Sequence, residues 1–360
     1  MLSCLLTRPG AAADVINVKS LLGEMVDMAA LAERPVPFFR TAAATSYDRA
    51  SHKGGDAWFA NHDVGEYVRT ETNHGRKEQV LADLKGPGAV TRFWSANPTL
   101  RAVVRFYFDG EEEPRLAIPL ADLFTGKTPP FGPVFSYISG TGGNLYYPIP
   151  YASGLKITIE ERRRPVNLYY EIAYRAYDAG ATVETFDPER AASWAQQQAQ
   201  TAAALSSPKP AAAPADAEWI TQRLTIQPGE TMSLPKVLGE KAVFKWSARV
   251  LDTQESRQWD DPSRAHNAYR FLGLAIDFDG EHSVTTPLGD FFGSAPGVNP
   301  YENLFFTVDE SGTMTSRLLM PFAKSMRMSL SNLGTTPYTV ELKLHIGKRA
   351  FTDRDYHLRA

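Results

Sequence analysis

From Thr41 onward, hydrophobic and polar residues alternate in short runs rich in aromatic and β-branched side chains, broken by Gly, Pro, Asn and Asp. Val90-Thr91-Arg92-Phe93-Trp94, Ala102 to Phe108, Leu155 to Glu160 and Asn167 to Tyr174 carry this texture. A period of two sends successive side chains to opposite faces, so each run predicts a strand. Many short strands with no recurrent helical crossover predict sandwiches or barrels, not a parallel α/β sheet. Helical spacing occurs in two places. Val18 to Ala32 sets Leu21, Leu22, Val26, Met28, Ala29 and Leu31 against Glu24 and Asp27, which predicts an N-terminal helix. Glu189 to Ala195 leads into a Gln/Ala run that predicts a second helix, and Ser206 to Pro214, with three prolines, reads as an extended linker.

The two sides of that linker repeat each other. Val104-Arg105-Phe106-Tyr107-Phe108-Asp109-Gly110-Glu111 returns as Leu274-Ala275-Ile276-Asp277-Phe278-Asp279-Gly280-Glu281. Ile118-Pro119-Leu120-Ala121-Asp122-Leu123-Phe124 returns as Thr286-Pro287-Leu288-Gly289-Asp290-Phe291-Phe292. Tyr147 to Tyr151 is echoed by Leu319 to Phe322, and Lys156 to Ile159 by Arg327 to Leu330. Matched blocks in one order imply a tandem duplication of one β fold. Asp-Gly closes a tight hairpin because Gly accepts positive φ without steric cost. Asp109, Asp279, Asp122 and Asp290 are therefore expected to be turn or cap residues.

Composition narrows the function. An apolar share of 43% with 22% charged residues belongs to a globular chain. A formal charge of −3 argues against nucleic acid as a partner, since phosphate binding calls for a basic surface. No run approaches the roughly 20 apolar residues of a membrane-spanning helix. The single cysteine, Cys4, rules out an internal disulfide and a thiolate zinc site. The seven histidines are scattered and show no His-x-x-x-His pair, so neither metal nor cofactor is expected. No Gly-x-Ser-x-Gly elbow, Walker loop or dinucleotide fingerprint appears. Met1 to Leu6 followed by Gly10 to Ala13 reads either as the tail of a signal peptide, which predicts export to the periplasm or beyond, or as a disordered leader.

Several runs resemble a known family. Thr45-Ser46-Tyr47-Asp48-Arg49 with Gly54-Gly55-Asp56 is similar to its N-terminal signature, and Gly86-Pro87-Gly88 to Trp94 to its Gly-Pro-Gly strand. Tyr107 to Glu111, Pro119 to Phe124 and Gly142 to Tyr151 complete the set. The family is the one once called domain of unknown function 2961, which includes glycoside hydrolase family 172. The leader, the short N-terminal helix and the inter-domain helix and linker read above set the expected division: a leader over 1–16, jelly rolls over 17–187 and 218–360, and the helix and linker over 188–217. The resemblance implies an all-β tandem double jelly-roll. It also implies a homotrimer or hexamer that acts on furanosidic or related glycans through two glutamates. At the positions of those glutamates this sequence reads Tyr269 to Leu274, with Phe271 and no acid, and Gly289 within Pro287 to Gly293. The alternative expectation is therefore a non-catalytic trimer that binds glycans or serves in assembly.

A glycosidase needs two carboxyl groups across a sugar-sized cleft. The densest polar and aromatic stretch is Tyr47 to Glu66, where acids, a guanidinium and an indole share a Gly-rich loop. Asp48 and Asp56 are the candidate catalytic carboxyls, and Tyr47, Arg49, His52 and Trp58 the candidate sugar contacts, since aromatic faces stack on sugar rings. Trp259-Asp260-Asp261, before Arg264, His266 and Asn267, is a second acidic cluster expected to be a solvated loop. Glu281 and Glu302 are lesser candidates.

Overall fold

A computed structural model describes residues 15–56, 58–160, 166–251, 268–294 and 297–360. They fall into two units, Val36–Ser206 with the described residues before Val26, and Ser207–Ala360 with Val26–Pro35.

The strands of the first unit are β1 (Phe39–Thr45), β2 (Arg69–Asn73), β3 (Arg76–Lys85), β4 (Gly88–Ser95), β5 (Val103–Phe108), β6 (Leu116–Pro119), β7 (Ser136–Ser139), β8 (Gly142–Leu145), β9 (Ile149–Tyr151), β10 (Gly154–Glu160) and β11 (Tyr170–Tyr177). One sheet runs β1-β11-β4-β8-β7, with β9 also on β4, and the other β2-β3-β10-β5-β6. The first strand lies beside the last, and the chain passes back and forth between the sheets. That is the strand order of a jelly roll. Phe93, Phe106, Phe108, Leu155, Ile157 and Ile172 are among the side chains buried between the sheets, the inward half of the alternation.

The second unit repeats this order. Its strands are β12 (Glu218–Ile226), β13 (Thr231–Ser233), β14 (Val237–Leu238), β15 (Lys241–Leu251), β16 (Leu272–Phe278), β17 (Glu281–Pro287), β18 (Tyr301–Glu302), β19 (Phe306–Val308), β20 (Thr313–Ser316), β21 (Met320–Phe322), β22 (Ser325–Asn332) and β23 (Tyr338–Lys348). They form the sheets β12-β23-β15-β20-β19-β18 and β13-β22-β16-β17, with β21 added to β15 and β14 to β22. The protein is thus all-β, a double jelly-roll.

The repeat extends to single hydrogen bonds. Asp109 and Asp279 sit at φ 50° and 55°, each followed by a left-handed glycine. Asp109 Oδ1 accepts from the amides of Ser153 at 2.7 Å and Gly154 at 3.0 Å. Asp279 Oδ1 accepts from Lys324 at 2.6 Å and Ser325 at 2.8 Å. Each carboxylate ties its hairpin to the strand that pairs beside it, and hydrogen-bond donors lower the pKa of both against the opposing effect of burial. Asp109→Ala is expected to cost about 2–3 kcal/mol by removing a charge-assisted acceptor. Faster amide exchange at Ser153 and Gly154 would register it.

Among the described residues, five short or medium helices accompany the strands: α1 (Val18–Glu24), α2 (Leu120–Phe124), α3 (Ala191–Ser206), α4 (Ala268–Phe271) and α5 (Leu288–Phe291). The helix expected over Val18 to Ala32 ends early and is followed by a separate 3₁₀ turn, Ala30–Ala32. Asp27 Oδ1 accepts from the amides of Ala29 at 2.9 Å and Ala30 at 3.2 Å, starting that new turn. A division at the Pro-rich linker alone would assign residues 26–35 to the first jelly roll. Instead Ala32 packs with Ala242, Phe244 and Leu319 of the second unit. There Arg34 N donates to Arg354 O at 2.6 Å and Tyr356 N to Ala32 O at 2.8 Å.

Candidate functional site

The stretch Tyr47 to Glu66 forms the connection between β1 and β2, and Asp48 holds its base. The Asp48 side chain is buried. Its two oxygens accept from the amides of Ala50 and His62, each at 2.9 Å, while its own amide donates to Asp63 Oδ1 at 2.8 Å. These backbone donors lower its pKa, so Asp48 is an ionised acceptor whose oxygens already serve the loop. Arg49 turns back on the same stem. Its guanidinium donates to the carbonyls of Thr45, at 2.9 Å, and Tyr47, and lies 4.1 Å from the Tyr47 ring centre. His52 Nδ1 is 2.8 Å from Ala50 O. Asp56 is exposed, as is Trp58, whose ring tilts against Phe59 at 6.1 Å. The structure thus joins Tyr47 to Arg49 and Asp48 to His62 and Asp63.

The stem leads onto a sheet face. Thr45 pairs with Glu171 and Glu171 with Trp94, so all three project from the outer side of the β1-β11-β4 sheet. Glu171 Oε1 accepts from Arg92 Nη1 at 2.9 Å. The Arg92 guanidinium lies 5.8 Å from the Tyr146 ring centre, and Tyr146 stacks on Tyr137 at 6.2 Å and 26°. Arg92 Nε is buried without a hydrogen-bond partner. An ion pair, two stacked phenols and an indole therefore share one face, with the Tyr47–Trp58 loop rising from its edge. Sequence reasoning missed Arg92, Glu171, Tyr146 and Tyr137. Alternation in Thr91-Arg92-Phe93-Trp94 marks Arg92 and Trp94 as one face, but their meeting with Glu171 depends on long-range register.

Of the positions at which the resemblance places the family's glutamates, Gly289 is tightly packed and Phe271 is half-buried. A Cβ on Gly289, the first-turn glycine of α5, would lie 2.7 Å from Tyr269 Cβ and 2.9 Å from Tyr269 O. Tyr269 belongs to α4 and is itself buried. Phe271 packs on the second hydrophobic core, and its carbonyl accepts from Leu333 N at 2.8 Å. Glu281 is paired with Arg359 at 3.0 Å and Glu302 with Arg317 at 2.8 Å. Trp259, Asp260, Asp261, Arg264, His266 and Asn267 lie outside the described residues. Among the described residues no three His, Cys, Asp or Glu side chains are grouped to hold a metal ion, and no helix is long and apolar enough to cross a membrane.

Comparison with known proteins adds the family. Residues 37–193 match the GH172 first beta-sandwich domain and residues 216–342 the GH172 domain-like model. No curated protein matches. Among solved structures, the chain resembles the major capsid protein P2 of bacteriophage PM2 at 8% identity, covering 88% of this chain and 100% of that one, with a TM-score of 0.24. It also resembles a chain of Sulfolobus Turreted Icosahedral Virus at 8% identity, covering 78% and 90%, with a TM-score of 0.24. Scores this low carry no argument, and the jelly-roll assignment rests on the strand order. With both domains matched over most of its length, this chain belongs to the GH172-like family.

Proposed function

We propose that this carbohydrate-family protein binds glycans on the outer face of the β1-β11-β4-β8-β7 sheet, without hydrolysis at the family's glutamate positions. The reading is carried by the Arg92–Glu171 pair beside the Tyr146–Tyr137 stack. Aromatic faces take the C–H side of a sugar ring, and a guanidinium beside a carboxylate offers donors and acceptors to neighbouring hydroxyls. The buried Tyr269 beside Gly289 leaves no room for a catalytic side chain there. The setting proposed for this role is a homotrimer or hexamer, as the family resemblance implies, exported, as the opening segment suggests.

The competing reading is hydrolysis of furanosides by Asp48 and Asp56. It is favoured by the signature loop but opposed at Asp48, where both oxygens already accept backbone amides. The test is a panel of neutral furanosides and pyranosides, followed by calorimetry and by chromatography of products. Saturable binding without product is expected, with Tyr146→Ala weakening it at least tenfold, the loss of about 1.4 kcal/mol. Product release abolished by Asp48→Asn or Asp56→Asn in folded protein would replace this reading with the hydrolase.

A further inference from the structure

The second jelly roll carries a different surface on its β12-β23-β15 sheet. Cross-strand register sets three rungs there: Trp219–His345–Lys245, Thr221–Lys343–Ser247 and Arg223–Glu341–Arg249. The alternate residues Leu224, Leu342, Leu344, Trp246 and Ala248 face the core, so all three rungs point outward. Neighbouring strands lie about 4.8 Å apart and alternate residues about 6.8 Å along a strand, so the rungs tile a flat patch roughly 10 by 14 Å.

That patch is basic in an acidic chain. Of the nine rung residues, four (Lys245, Lys343, Arg223 and Arg249) are cationic and one, Glu341, is acidic, whereas the whole protein carries a formal charge of −3. Glu341 is paired with Lys343 at 2.8 Å. Asp309, also close enough to act on Arg249, spends Oδ1 on the amides of Ser311 and Thr313, each at 2.9 Å, within its own turn. At the end of the patch Trp219 is 54% exposed and stacks on His345 at 4.7 Å and 13°, presenting a flat aromatic tile. Thr221, Ser247 and, one rung further, Thr225 and Thr339 add hydroxyls.

We infer that this face binds an anionic polysaccharide of the polyuronate class. Charge complementarity supplies the attraction, spread over three rungs, and Trp219 supplies stacking for a pyranose ring. A nucleic acid fits less well. One ring tile offers little to the successive bases of a strand. The inference uses only the second unit and stands apart from the sugar platform of the first.

The test uses the full chain with polygalacturonate oligosaccharides as probe, neutral amylose oligosaccharides and a single-stranded DNA oligonucleotide as controls, and titration over a salt series. Polygalacturonate is expected to bind, weakening as salt rises, while amylose does not compete. The combined variant Lys245→Gln, Lys343→Gln, Arg249→Gln should lose at least tenfold in affinity and flatten the salt dependence. Trp219→Ala should weaken binding and leave that slope unchanged. Because these side chains point away from the core, circular dichroism of the variants should match the parent. Absence of polygalacturonate binding at low salt would overturn the inference. So would binding indifferent to the charge variant, or DNA binding of equal strength that ignores Trp219→Ala.

Discussion

Glu78→Ala should destabilise the first jelly roll by about 3–5 kcal/mol, the usual cost of stripping one member from a buried charged network. Glu78 lies on the outer side of β3 and has no exposed surface. Its carboxylate accepts from Tyr107 Oη and Thr158 Oγ1 at 2.8 Å, and from Asn73 Nδ2 and Arg76 Nε at 3.0 Å. Arg105 Nε stands 3.8 Å away, with its other end on Glu160 at 2.6 Å. Truncation would orphan four donors and leave the arginines beside them short of negative charge. Burial alone would raise the Glu78 pKa, but these donors outweigh it and lower the value. The sign then follows. A depressed native pKa contributes stability fully above the unfolded value of about 4.3, and that contribution is lost as the pH falls through the depressed value. Acid unfolding of the parent, followed by amide exchange in β3, β5 and β10, should therefore show a component that Glu78→Gln lacks. Equal exchange in parent and Glu78→Ala at neutral pH would refute the network's role.

Gly289→Glu restores the residue type expected at a family nucleophile, and it is expected to harm the protein without creating an enzyme. Its Cβ would press on Tyr269 Cβ and O, and overpacking of this kind costs about 1–3 kcal/mol before the new carboxylate loses any hydration. Urea unfolding reported by amide exchange in α5 and β16 should show the loss, while the furanoside panel stays silent. Turnover by this variant would mean that the pocket opens readily and that glycine alone withholds the chemistry.

The strands were legible because burial enforces their period. Val104, Phe106 and Phe108 point inward exactly two residues apart, and the same reading located the duplicated Asp-Gly turns. The helix at Val18 to Ala32 was legible only in part. Leu21 and Leu22 face cores of the first unit while Ala32 faces one in the second. Helical spacing counts apolar residues without knowing which core each will meet. At the candidate site, composition pointed to the Tyr47 to Glu66 loop but could not see that Asp48 is spent on backbone amides. Arg92 and Glu171 stand far apart in the chain, so nothing local announces their pairing.

The stretch Val26–Pro35 sets the timetable of folding. It is synthesised early, yet Arg34 waits for Arg354, 320 residues away. At about 5–20 residues per second, that interval is roughly 16–64 s. Until then the amide of Arg34 and the carbonyl of Ala32 lack their final partners. Loss of Arg354 to Tyr356 would therefore leave this edge of the second jelly roll unsealed, however completely the first has folded. Arg354 to Tyr356 act as the closing stitch, drawing two segments some 320 residues apart into one unit.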